Sequence, residues 1–259
     1  MLFATSCYTD DAATHQANDP HSRPWWCMST GDGGHHVDPA YHGMTKGMLS
    51  WEDCTLNSVG FDLAIAYAQQ WPTLGDAEAD GWHRAVTYVE GMGTHHVRLE
   101  GFDPTGPGFD PDNPSFPGTA IDDYFTAAQP EFLMYDGNGA DAELTGFAWF
   151  FESDSTTPPE GFGGDNDWWH RHESLCFTNS SWQVVGENVS DTVCSNRGGT
   201  NLDLSNFWML HAWIIDPWTV QFDVFANHHP CLHQSGPAVP GDGDPCWEEA
   251  HSGGGHSEH

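Results

Sequence analysis

The chain has 259 residues, with 38 Asp and Glu against 6 Lys and Arg, and a formal net charge of −32. That balance excludes nucleic acid, whose phosphates must be met by Lys and Arg, and argues equally against anionic membrane surfaces. No run of roughly 18 apolar residues occurs, so the sequence offers no membrane span, while thirteen Trp and fifteen Phe promise a bulky aromatic core.

Residues 1–48 are rich in Gly, Asp and His with little periodicity, and read as an irregular N-terminal arm. Ser50 then looks like a helix N-cap, with Glu52 and Asp53 complementing the dipole in the first turn. Leu56, Val59, Leu63 and Ala66 recur at helical spacing through Tyr67, and Pro72 ends that helix. Thr73 can cap a short second helix running to Gly81. From Ala85 the pattern changes to strands, with Val86, Tyr88, His95 and Val97 in extended runs around Gly91 and Gly93. Residues 102–117 are a long Pro-, Gly- and Asp-rich loop. Residues 132–135 and 144–151 read as a hairpin closed by Asp136-Gly137-Asn138-Gly139, and a second Pro/Gly loop covers 153–167. Residues 169–177 and 181–185 form a candidate strand pair, 190–197 a helical turn or two, and 207–215 and 219–226 the last strong strands. The expected fold is α+β: a short N-terminal helical pair, then a mostly antiparallel sheet or sandwich with long loops. One globular domain over 49–233 and a Gly/Pro/His-rich C-terminal tail over 234–259 complete the expected organisation.

Seven cysteines without a CxxC pair point to disulfides rather than a thiolate metal site, and hence to an exported, extracellular protein. The short separations suggest Cys7 with Cys27, Cys176 with Cys194 and Cys231 with Cys246, leaving Cys54 over as a buried free thiol or an intermolecular link. The opening residues Met1 to Thr5 lack a basic n-region and an apolar h-region, so export is expected from cysteines and charge alone. Two sequons, at Asn179 and Asn188, permit glycosylation.

Seventeen histidines are the outstanding feature. In Trp169-His170-Arg171-His172-Glu173, two imidazoles lie two residues apart, and on a strand both would reach the same ion. His211 lies in the apolar run Trp208-Met209-Leu210-His211-Ala212-Trp213, where a buried imidazole needs a partner. His95 and His96 follow Gly91-Met92-Gly93-Thr94, and alternation allows only one of them to share the face; His95 is the favoured one. The candidate ligands are therefore His95, His170, His172 and His211, an imidazole set suited to Cu, Zn, Fe or Mn. Weaker candidates are His35, His36 and His42 on the arm, the cluster His228, His229 and His233, and the terminal His251, His256 and His259. Calcium is a lesser possibility at Asp136 to Asp141, where the bidentate Glu of an EF-hand is missing and a hairpin turn is the plainer reading. No GxSxG elbow, Walker loop or dinucleotide fingerprint occurs.

The order of motifs from Leu49 to Asn227 resembles a group of secreted bacterial proteins without a known function. It is carried by Leu49-Ser50-Trp51-Glu52-Asp53-Cys54, Asp76-Ala77-Glu78-Ala79-Asp80-Gly81, Gly91-Met92-Gly93-Thr94-His95 and Glu131 to Gly137. It continues in Asn166-Asp167-Trp168-Trp169-His170-Arg171-His172, Leu175-Cys176 and Met209-Leu210-His211-Ala212-Trp213. In that group the first histidine after the glycines recurs and an aromatic usually follows it, which singles out His95; His96 stands in the aromatic's place. The HxH pair is also distantly similar to the opening of the cupin metal motif, without that motif's Gly, Pro and Glu. The expected function is a secreted metal-binding protein with a histidine-rich mononuclear site, with catalysis and substrate left open. The rival expectation is an extracellular filament subunit that self-assembles through its terminal arms.

Overall fold

The computed structural model describes residues 23–28, 47–102 and 108–252. Its element order begins with a 3₁₀ turn at Trp25–Cys27, then α1 (Trp51–Ala68), α2 (Leu74–Ala79), β1 (Trp82–Val89), β2 (Gly93–Arg98), β3 (Phe132–Tyr135) and β4 (Leu144–Glu152). There follow β5 (Ser174–Thr178), β6 (Val184–Glu187), α3 (Asp191–Asn196), β7 (Gly199–Asp203), β8 (Phe207–Ala212), β9 (Leu232–His233), β10 (Gly236–Pro237) and α4 (Cys246–Ser252). The fold is α+β with a sandwich-like pair of antiparallel sheets. One sheet has five strands in the order β1-β2-β3-β4-β8, the other three in the order β6-β5-β7, and β9 pairs with β10. Among the described residues no helix is long and apolar enough to cross a membrane.

Helix starts follow the sequence closely. Ser50 Oγ accepts from the Asp53 amide, Thr73 Oγ1 from Asp76 and Ser190 Oγ from Val193, each satisfying an N–H that the helix leaves without a partner. The buried side of α1 differs from the stripe suggested by spacing. Leu56, Val59 and Leu63 are exposed, whereas Cys54, Asn57, Gly60, Phe61, Ala64 and Ala68 face inward. Small residues let the helix sit close to its neighbours: a Cβ on Gly60 would come within 3.1 Å of Ala127 and 3.2 Å of Phe162.

The large sheet separates two cores because successive strand residues face opposite ways. Leu133, Tyr135, Phe147, Trp149, Phe151, Trp208 and Leu210 pack under α1 against Phe61, Ala64 and Ala68. From the other face, Val97, Phe132, Ala148, Phe150 and Met209 meet Phe177 and Leu202 of the small sheet. The layers are thus helices, five strands, three strands.

Several expected elements need correction. The strand over 169–177 is broken: only His170 joins the large sheet, by paired backbone bonds with Met209 of 2.9 and 2.8 Å. The chain then crosses to the small sheet, and β5 starts at Ser174. The expected strand over 219–226 is irregular backbone packed around Trp213, which bonds Val220 N–H through its carbonyl and Val224 O through its amide. Buried apolar residues there reflect a packed loop rather than a ladder. β7 went unforeseen because its residues, Gly199 to Asp203, are mostly polar or small.

Three disulfides form: Cys27–Cys54, Cys176–Cys194 and Cys231–Cys246. The last two match the sequence reading, but Cys27 pairs with Cys54, so Cys54 is not free and Cys27 is not joined to Cys7, which lies outside the described residues. The 3₁₀ turn lies against the start of α1, where Trp26 Nε1 donates to Ser58 Oγ and Leu49 N–H to Cys27 O. Packing rather than nearness in sequence chose the partner. Within the C-terminal stretch, Ala238, Cys246 and Ala250 are buried, with α4 tied to Cys231 through Cys246. The arm histidines His35, His36 and His42, and the terminal His256 and His259, lie outside the described residues.

Candidate functional site

Three of the four singled-out histidines reach the same face of the large sheet, and the fourth comes to its edge. His95 lies on β2 two residues after Gly93, whose φ of +65° and whose closeness to Tyr135 O, 2.3 Å from an ideal Cβ, leave room for no side chain. That contact seats β2 against β3 and fixes which way His95 points. His211 lies on β8, paired with Ala148 of β4. His170 pairs across from Met209, two residues before His211 and on its side of the sheet. His172 is placed differently from the expectation. It sits not on a strand but where the chain leaves the large sheet for the small one, and its ring centroid is still 5.1 Å from that of His170.

The imidazoles form a connected group. His95 Nε2 and His211 Nε2 are 3.3 Å apart, and the His170 and His211 ring centroids are 5.1 Å apart. On this face β4 contributes only Gly146 and Ala148 beside β8, which leaves little bulk next to His211. His95, His170 and His211 are buried; His172 is mostly covered and its Nδ1 is 2.8 Å from Glu187 Oε1. Burial holds His95 down to about 3, helped by the nearby His172. His211 is held well below its ordinary value by burial, then by His170, His95, His172 and His228. Both rings are therefore neutral with a lone pair to offer. Nδ1 of each is buried without a hydrogen-bond partner, which costs on the order of 1–3 kcal/mol for a polar atom left so.

His96 faces the other way, toward Tyr135, with Arg84 Nε 3.4 Å and Glu78 Oε1 3.6 Å from its Nε2. His229, also buried, spends both nitrogens on structure, accepting from the Cys231 amide at 3.0 Å and lying 3.2 Å from Trp218 O. The Asp136 loop is a turn: Asp136 Oδ1 accepts from Glu143 N–H, and Asn138 Oδ1 from Tyr88 N–H.

Two residues near the site were not foreseen as part of it. Glu187 of β6 anchors His172: β6 pairs with β5, which starts two residues after His172, and the expected strand over 181–185 stopped short of Glu187. His228 acts electrostatically on His211 and packs on Gly91, where an added Cβ would meet its ring at 3.0 Å; the Asn227-His228-His229-Pro230 run was the available signal.

Among the described residues, the set of potential ligands whose donor atoms all fall within 4.8 Å of one another is His233, Asp244 and Cys246. Cys246 is bonded to Cys231, so no thiolate is present, and what remains is a partly exposed His–Asp pair at 3.3 Å. The His95 group is more open than this but better buried, with a pair of donors in contact.

A cavity of about 440 Å³ lies between the sheets and reaches this group. Its walls are mostly apolar, with Phe132, Phe150 and Met209 on one side and Leu175, Phe177 and Val184 on the other; His95, His211, His172, Glu187 and Thr87 are the polar side chains. Comparison of the chain with protein-family models, with curated proteins and with solved structures gave no match.

Proposed function

We propose that this is an exported metal-binding protein whose ion is held by His95 and His211, with His170 and His172 completing the set. The observation that carries the reading is the 3.3 Å separation of His95 Nε2 and His211 Nε2 in a buried place. Two nitrogens bound to one tetrahedral ion at about 2.0–2.1 Å lie about 3.3 Å from each other. Both rings stay neutral, so no proton competes for their lone pairs. Glu187 on Nδ1 of His172 would leave Nε2 to face the ion, the common arrangement in which a carboxylate orients a histidine ligand. His170 and His172 would close on the ion by side-chain rotation.

An all-imidazole shell favours Zn, Cu or Fe over Mn, which prefers oxygen, and over calcium, which needs six to eight oxygens. Export is supported by the three disulfides, which persist in oxidising compartments. The filament alternative turns on the terminal arms, most of which lie outside the described residues.

Elemental analysis of untagged protein tests the proposal. One transition-metal ion per chain is expected, lost in His95→Ala and His211→Ala and kept in His233→Ala. Metal kept in His211→Ala but lost in His233→Ala would move the site to the His233–Asp244 pair.

A further inference from the structure

The cavity between the sheets is larger than an ion requires. At about 440 Å³ it falls in the range of about 300–1,000 Å³ typical of small-molecule sites. Its walls come from both sheets, so it is built into the sandwich rather than scooped from a loop. Val89, Met92 and Glu187 also line a more open depression bordered by His228 and His233, which gives the cavity a route to solvent. Its chemistry is one-sided: hydrocarbon and aromatic walls, with the imidazole group as the concentrated polar feature. An apolar body fits those walls, and one lone-pair donor fits an ion at their polar end.

The charge of the protein narrows the head group. With a net charge of −32, and with Glu187 and Glu90 lining the approach, the field opposes an anion before it reaches the site. We propose that the cavity binds a neutral, mostly hydrocarbon molecule bearing one terminal oxygen donor, of the alcohol or phenol class, with the oxygen directed at the ion. This rests on the metal reading above and adds the ligand class to it.

Titration of metal-loaded protein with straight-chain primary alcohols from butanol to dodecanol, followed by calorimetry, tests the idea. Affinity should rise about fourfold for each added methylene and level off once the cavity is filled. Decanol should bind at least tenfold more tightly than both decane and decanoate. Val184→Trp and Val86→Trp fill the cavity from opposite sheets, and either one that folds should weaken decanol at least tenfold while its metal content stays at the wild-type level. Elemental analysis of the same samples separates the two failures. Absence of metal removes the metal reading and this inference with it. Full metal occupancy with a flat length series, with decane or decanoate equal to decanol, or with undiminished binding in both tryptophan variants overturns this inference alone.

Discussion

Acidifying the metal-free protein from pH 6.5 to 4.5 should weaken it steadily, because buried neutral imidazoles cannot take up the protons that the unfolded chain takes. His95, His96 and His229 are all held down to about 3, chiefly by burial. Their folded values lie below the unfolded value of about 6.5, so the stability they contribute is present above 6.5 and is lost as pH falls toward 3. Each passes one proton to the unfolding reaction across this window, together about 4 kcal/mol per pH unit. Three carboxyls oppose them. Burial raises Glu131 to about 8 and Asp167 to about 6, and it raises Asp136 as well, so the folded protein accepts protons there sooner than the unfolded chain; the first two regain about 2 kcal/mol per unit near pH 5.5. His211 adds to the imidazole side. The balance is a net uptake of one to two protons on unfolding near pH 5.5. Urea titrations with a chelator present, repeated at half-unit steps of pH, measure that slope. A stability that is level or rises between pH 6.5 and 4.5 would refute the reasoning.

On the alkaline side, Glu131 governs. Its raised value means stability is present below about 4.5 and lost as pH rises through 8, so Glu131→Gln should flatten the decline and gain about 4 kcal/mol on wild type between pH 5 and pH 9, read by the same titrations. Gly146→Ala should cost about 1–3 kcal/mol, since an ideal Cβ there lies 2.7 Å from Ala212 O and 2.9 Å from Met134 Cε; thermal melts check this. Ser50→Ala removes the cap of α1 and should cost about 1 kcal/mol, seen in the same melts. Glu187→Gln should weaken metal binding about 10- to 100-fold while leaving the melting temperature of the metal-free protein in place; a competitive chelator titration would detect the change.

Much of the local structure was legible because it depends on few neighbours. Ser50, Thr73 and Ser190 announce three helix starts through a hydroxyl placed to meet an amide. Strand alternation sends His95 and His96 to opposite faces, and the recurrence of the first histidine after the glycines in the resembling group pointed to His95; the tight contact at Gly93 is the structural reason that β2 sits as it does. Tertiary choices were less legible. α1 carries an apolar stripe at Leu56, Val59 and Leu63, yet the helix buries its small-residue side because the aromatic surface of the large sheet needs close approach. The pairing of Cys27 with Cys54 depends on how the 3₁₀ turn lies against α1, which no spacing rule expresses. His170 and His172 come together at a sheet-to-sheet crossing rather than along one strand, so their nearness was read correctly from a geometry that the chain does not adopt. The Glu187 contact follows from the β5–β6 register, and the expected strand over 181–185 ended before Glu187.

X-ray absorption at the edge of whichever ion accompanies the purified protein tests the central claim most directly. Three or four imidazole nitrogens at about 2.0–2.1 Å, with multiple-scattering features that vanish in His211→Ala, are the predicted result. A shell of oxygens unaffected by that substitution, or a protein that carries no ion and takes none up, would contradict it.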